Sequence, residues 1–277
     1  MGRFAVLTAA VTLALILAGG FVTTTRTGDT IPSWPKSWGR MEVGWPVEWT
    51  HRALAGTVAI LATLLAVWVQ RAEPRPWVRR LAWLAFFAVL LQALLGGLRV
   101  HRYYPKATAI VHATLAQVVF STLVSLALFV SESWKTFRAD ESTAGAGRIG
   151  QATTLLAFLQ LIAGAVTRHT GWGLAGHLVG AGLVLVLVSL FASRLMMTPL
   201  RRGANLLLGI LGLQVALGLG TWAITAGGFE RSHQAPLLQV LTVSAHVAVG
   251  AALLAASLTL TLMCRRAKAA SPELALA

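Results

Sequence analysis

The chain has 277 residues, 56% hydrophobic and only 12% charged, with a formal net charge of +14. Soluble domains carry roughly a quarter charged residues, so a soluble fold is excluded, and apolar runs of about 18 or more residues point to a polytopic membrane protein. A basic excess that would indicate nucleic acid in a soluble protein reflects orientation in the bilayer here, and no nucleic-acid partner is expected.

The apolar segments lie at 4–22, 53–70, 81–98, 107–130, 150–167, 173–193, 204–226 and 237–264. They are continuous rather than alternating, which favours helices over a β-barrel. The first has the outline of a signal peptide, with Arg3 ahead of an apolar stretch. However, Gly20-Phe21-Val22-Thr23 is matched later by Gly164-Ala165-Val166-Thr167, and a segment that recurs as an interior span is expected to be kept. The fifth segment is the most polar, with Gln151, Thr153, Thr154 and Gln160. Cys264 is the single cysteine, so no intrachain disulfide can form.

Orientation follows from Lys and Arg. The larger share, including Arg71, Arg75, Arg79, Arg80, Arg194, Arg201, Arg202, Arg265 and Arg266, falls on the side of the two termini. Both termini are therefore expected in the cytoplasm. The polar stretch Ser131–Arg148 reads as a cytoplasmic linker between residues 1–130 and 149–277. Gln92-x3-Gly96, Gln160-x3-Gly164 and Gln214-x3-Gly218 recur along the chain. An all-α integral membrane fold is expected, with eight transmembrane helices forming two tandem-repeated four-helix bundles in parallel topology. Gly96, Gly97, Gly176, Gly180, Gly182, Gly209, Gly212, Gly218 and Gly220 permit close approach of helices or a ligand.

His51, His112, His177 and His246 each lie near the start of an even-numbered span. A histidine inside the membrane is costly and is a functional hypothesis by default; the alternative for any one is a core residue bonded to a carbonyl. Four at one depth, two in each half, suit paired axial ligation of heme iron inside four-helix bundles. Zinc and copper are poorly served, with no cysteine ligand at hand and Glu48 the only nearby carboxylate. Small residues after the histidines (Ala53, Ala55, Ala113, Ala116, Gly180, Gly250) leave room for a flat macrocycle. His101 and His233 read as solvated loop residues, whereas His169 in Arg168-His169-Thr170-Gly171 borders a site.

Glu48 breaks the symmetry, because it lies one turn from His51 in Glu48-Trp49-Thr50-His51-Arg52. A carboxylate at one pair alone points to chemistry at one site and cofactor storage at the other. An interfacial Glu48 bonded to Arg52 or to a loop amide is the other reading.

These motifs resemble the heme A synthases of respiratory membranes. The resemblance covers nearly the whole chain and rests on Glu48-x-x-His51-Arg52, Gln92-Ala-Leu-Leu-Gly96-Gly97, His112 with Gln117, Gly164-Ala-Val-Thr-Arg168-His169-Thr-Gly171, Gln214-x-x-Leu217-Gly218 and His246. It implies a membrane oxidoreductase that turns heme O into heme A by oxidising a ring methyl to a formyl group, for supply to terminal oxidases. His51 and His112 would then ligate the substrate heme O, His177 and His246 a resident heme b, and Glu48 would be the catalytic carboxylate. The resemblance also implies heme O synthase and the oxidase assembly machinery as partners.

Many bacterial members carry a cysteine pair in the first outer loop. Here the matching stretch is Ile31-Pro32-Ser33-Trp34-Pro35-Lys36-Ser37, which keeps the Pro and Trp frame and has neither cysteine. A bacterial inner membrane is expected, since span one begins near Phe4 and leaves no room for a transit peptide. Two other classes stay open: a di-heme b-type electron carrier, and a non-catalytic heme-binding factor for oxidase assembly. The prenylating enzyme of the same pathway is disfavoured, because the two aspartates, Asp29 and Asp140, form no diphosphate-binding cluster.

Overall fold

The computed structural model describes residues 1–28, 30–31, 33–34, 44–100, 106–137, 141–225 and 235–269. Pro32, Pro35–Ser37, His101, Asp140 and His233 lie outside them. Eight long helices are each apolar enough to cross a membrane. They are α1 (Gly2–Thr25), α2 (Trp45–Ala72), α3 (Pro76–Val100), α4 (Lys106–Phe129), α7 (Gly147–Thr170), α8 (Leu174–Leu195), α9 (Arg201–Thr225) and α10 (Leu237–Ala269). Two one-turn helices, α5 (Glu132–Thr136) and α6 (Glu141–Gly145), occupy the linker. The expected spans are all present: α1, α4, α7, α8 and α9 match the apolar runs to within a turn at both ends, and α2, α3 and α10 run more than a turn beyond them at one end. Lipid offers no hydrogen bonds, so the backbone stays helical to the point where water can take over.

Many of the threonines inside the spans are satisfied locally. Thr8, Thr12, Thr23, Thr24 and Thr25 of α1 donate to the carbonyl one turn earlier, the usual solution for a hydroxyl in a buried helix. In α7, Thr153 donates to Ile149 O and Leu187 O, and Thr154 to Gly150 O. This polar content is why α7 is the least hydrophobic in sequence and still spans.

Neighbour relations define the layout. α1 packs on α2, α2 on α3, α3 on α4 and α4 on α1, closing a ring in which α2 and α4 are diagonal. The pairs α7–α8, α8–α9, α9–α10 and α10–α7 close a second ring, with α8 and α10 diagonal. The rings meet where α1 and α4 touch α10 and α4 touches α7. Two apolar cores follow. One is built around Leu65, Val69, Leu123 and Leu126, the other around Val188, Phe191, Leu195 and Leu207.

The linker is more tightly built than its polar composition implies. Ser131 caps α5 by accepting from Trp134 N at 3.1 Å. Trp134 is buried, packs edge-on against Phe129 and lies under the Arg266 guanidinium at 4.8 Å. At the same end of the bundle, the α2–α3 turn is closed by Glu73. Arg75 donates to both Glu73 oxygens and, at 2.7 Å, to the Phe129 carbonyl at the end of α4. That hydrogen-bonded guanidinium holds the buried Glu73 carboxyl below its ordinary range.

A group whose folded pKa is depressed stabilises above the unfolded value, and the contribution is lost as pH falls through the folded value. Arg75→Ala leaves Glu73 buried without its partner and is expected to cost about 1–3 kcal/mol at neutral pH. The deficit should shrink as acid protonates the Glu73 of the wild type, measurable by unfolding in detergent micelles between neutral and acidic pH.

Candidate heme site

Each of the four span histidines is seated against a glycine of the preceding long helix. A Cβ built on Gly19 would lie 3.2 Å from His51 Cε1, on Gly96 3.2 Å from His112 Cε1, on Gly164 3.1 Å from His177 Cε1, and on Gly218 3.1 Å from His246 Cε1. The same contact thus occurs at α1–α2, α3–α4, α7–α8 and α9–α10. On α1 the seat is Gly19, one residue before the glycine that the sequence match pairs with Gly164. Gly20 faces elsewhere and meets Ser244 of α10, where a Cβ would fall 2.8 Å from the serine Cβ.

The tightest of these connections shows how sequence places a ring. α7 ends at Gly171 (φ 79°) and α8 begins after Gly173 (φ 85°), both in the left-handed region that glycine tolerates. The three-residue turn Gly171-Trp172-Gly173 reverses the chain so that Gly164 and His177 meet.

His177 and His246 come together across the second ring. Their ring centroids are 6.4 Å apart and their planes cross at 83°. Two metal–imidazole bonds of about 2 Å, each with a ring centre about 1 Å further on, give a centroid separation of roughly 6 Å. The separation of the pair therefore suits one iron held between two imidazoles. His246 Nδ1 is buried and has no hydrogen-bond partner, which leaves a polar atom in want of a ligand or acceptor. Among the described residues, no three of His, Cys, Asp and Glu gather around one point. The donor set shown at His177 and His246 is two imidazoles, which is compatible with heme.

Glutamines stand behind the histidines. Gln160 donates its amide to His177 O at 2.7 Å and lies 2.9 Å from His177 Nδ1. Gln92 donates to His112 O at 2.9 Å, and the Gln214 amide is 3.5 Å from His246 Nε2. The expectation that Gly180 and Gly250 make room for a macrocycle needs correcting. A Cβ on Gly180 would lie 2.2 Å from Gln160 Oε1, and one on Gly250 3.1 Å from Gln214 Nε2, so both notches hold amides. Gly176, Gly182, Gly209 and Gly212 meet nothing within 4 Å and do not serve packing among the described residues.

The first ring has a cover. Glu48 is 3% exposed, and both its oxygens are engaged. Oε1 accepts from Arg52 Nε at 3.0 Å and from Arg52 Nη2; Oε2 accepts from Thr30 Oγ1 and Ile31 N, each at 2.9 Å. Arg52 also donates to the carbonyls of Ser33 and Ile31. Both contacts of the alternative reading of Glu48, to Arg52 and to a loop amide, are therefore present. Trp34 lies on Gly97, where any Cβ would overlap the indole. The outer segment is thus tied to α2 through Glu48 and Arg52, and to α3 one residue from the seat of His112. In the second ring, Arg168 donates to Gly20 O at 2.8 Å and Thr24 Oγ1 at 2.7 Å, bonding α7 to α1 of the other half.

The family described as COX15-CtaA, cytochrome oxidase assembly protein, matches over residues 42–177. The heme A synthase of Symbiobacterium thermophilum is 32% identical over 248 residues, covering 76% of this chain and 81% of that protein. Those of Exiguobacterium sp. and Exiguobacterium sibiricum are 26% and 24% identical, each over 268 residues and 86% of this chain, and over 86% and 88% of their own lengths. The chain belongs to the COX15-CtaA family. It is a multi-pass member of that family with eight candidate spans.

In this COX15-CtaA protein, position and spacing in the sequence mark Glu48, the four histidines and their motifs, whereas the glycine seats, Thr30 and the bond from Arg168 to α1 need the fold. The one signal that was in the sequence is the recurring Gln-x3-Gly, since a glutamine one turn before a glycine lies on the same helix face. Arg52→Met removes the partner of a buried carboxylate and two loop-carbonyl bonds. It is expected to cost roughly 3–5 kcal/mol and to speed proteolysis of the outer segment, both measurable on purified protein.

Proposed function

We propose that this protein is a heme A synthase, converting heme O to heme A by oxidising a ring methyl to a formyl group. The observation that carries the proposal is the facing pair His177 and His246 at 6.4 Å, in a chain whose relatives over most of its length are heme A synthases. His177 and His246 hold the resident heme b, and His51 and His112, seated on Gly19 and Gly96, receive the substrate. Residues 1–130 and 149–277 are then two tandem four-helix units joined by the linker 131–148. Both termini face the cytoplasm, as the Lys and Arg distribution supports. All four histidines lie toward the outer leaflet.

When bound, the heme irons supply the redox chemistry. The protein holds, orients and handles protons. Oxidation of a methyl carbon releases protons, and Glu48 is the carboxylate of the substrate half that accepts one. A carboxylate has about four acceptor positions, and four donors from Arg52, Thr30 and Ile31 already occupy them. To take a proton at Oε2, Glu48 gives up Thr30 or the Ile31 amide. Proton uptake is therefore coupled to the outer segment. Arg52 keeps the carboxyl group aimed throughout by its two bonds to Oε1. No thiol enters this scheme, in keeping with Ile31 and Ser37 at the positions of the loop cysteines.

The test is expression in membranes that make heme O and lack their own heme A synthase, followed by heme extraction and mass analysis. Hydroxylated or formylated heme should appear only with this protein. Glu48→Gln should lower conversion by about 10²-fold or more and retain resident heme, while Thr30→Val, which loosens the same anchor, should keep most of the conversion. His177→Ala or His246→Ala should strip the resident heme. Unmodified heme O throughout would refute the enzyme, full conversion by Glu48→Gln would remove Glu48 from it, and loss of the purified chromophore in His51→Ala alone would reverse the two halves.

A further inference from the structure

The Gln-x3-Gly triplet recurs on α3, α7 and α9, and the reaction assigned above does not use it. Its glycine is the seat of a histidine ring, and its glutamine sits one turn away on the same face. On α7 the amide reaches both His177 O and His177 Nδ1, at 2.7 and 2.9 Å. On α9 it lies 3.5 Å from His246 Nε2, the other ring nitrogen from the one Gln160 meets, and on α3 it bonds His112 O at 2.9 Å. In the second ring each amide is lodged in a glycine notch of the helix that carries the histidine, at Gly180 and Gly250. A histidine has two freedoms, the position of its backbone and the rotation of its ring. The triplet addresses both: the glycine fixes how close the ring lies, and the amide fixes how it is turned.

We propose that Gln160 and Gln214 are positioning residues that set the crossed orientation of the His177 and His246 rings, with Gln92 bracing His112 through its backbone. The proposal rests on the reading of His177 and His246 as axial ligands. The second partner of a ligating imidazole commonly fixes its tautomer and rotation. At Gln160 the amide nitrogen lies at Nδ1 and donates to His177 O, while the oxygen occupies the Gly180 notch beside α8, so the amide is held at both ends and limits the rotation of the ring. Glutamines that served only to bond helix to helix would need neither the ring contact nor the notches.

Ring orientation has its own signature. Each imidazole plane acts on one of two iron d orbitals, so planes crossed near 83° leave the two close in energy and give a low-spin EPR signal of large anisotropy. The experiment uses purified full-length protein with its resident heme. Gln160→Met and Gln214→Met match the side-chain length without the amide. Expected are a fall in EPR anisotropy, a shift in the heme midpoint potential and a 10–100-fold weaker hold on the heme. Gly180→Ala gives an independent arm, because its methyl displaces only the mobile end of Gln160 and should move the same signal even if Gln160→Met does not fold. Unchanged EPR and potential in the methionine variants, or lower stability alone with the signal unmoved, would overturn the proposal, as would an unmoved signal in Gly180→Ala. Heme retained in His177→Ala would instead overturn the ligand assignment on which it rests.

Discussion

A histidine ring can lie against a neighbouring helix at these distances only where that helix carries no Cβ. All four span histidines meet this condition, against Gly19, Gly96, Gly164 and Gly218. Alanine at any of them would put a methyl 3.1–3.2 Å from the ring carbon and force the ring or the helix aside. The rest of the arrangement depends on this. The ring carbon that meets each seat, Cε1, lies between the two nitrogens, so the seat fixes how close the nitrogen-bearing edge comes to the neighbouring helix, and with α8 and α10 diagonal the rings of His177 and His246 meet across the bundle. The membrane adds the second constraint. Polar atoms at this depth have no water to fall back on, so each imidazole must find a partner inside the bundle, and the glutamine amides and a central ligand are the partners within reach.

The two rings use one seat and different covers. Over the first lies the outer segment, pinned by Thr30 and Ile31 on Glu48, by the Ser33 carbonyl on Arg52 and by Trp34 on Gly97. At the matching end of the second, α7 and α8 join through Gly171-Trp172-Gly173, with Trp172 exposed. A buried charged pair is a poor source of stability, because desolvation offsets much of the attraction. Its presence at the mouth of one ring and not at the turn of the other goes with what it holds, the backbone of Ile31 and Ser33.

Much of this was legible in the sequence, for identifiable reasons. The eight spans follow from the length of apolar runs, and even α7 with its glutamines and threonines is recovered, because those side chains bond to their own helix or to α8 and α10. The histidines stand out because polar residues are costly at that depth. What the sequence could not show is which glycines face histidines. Gly19 and Gly20 are adjacent, and a single residue of helical rotation, about 100°, decides which of them is the seat. Nor could it separate the two readings of Glu48, since i, i+4 spacing to Arg52 and i, i+3 spacing to His51 are both satisfied on one helix face. The structure places Glu48 in contact with Arg52 and the outer segment while leaving it one turn from His51, so the carboxylate is both an anchor and a neighbour of the site.

The pair Gly19-Gly20 then takes on a further meaning. Gly19 seats His51 of the first ring, and Gly20 presses on Ser244, two residues before His246 of the second. Arg168 donates to the Gly20 carbonyl from the far side of the same junction. One short stretch of α1 is therefore in contact with both rings at once, and neither glycine can be enlarged without moving a ring or α10. A helix that merely packed two bundles together would need small residues somewhere along its length. Here they sit at the level of the histidines, where a displacement of α1 that followed a change at His51 would be felt by α10 next to His246. The two rings meet through adjacent residues of one helix.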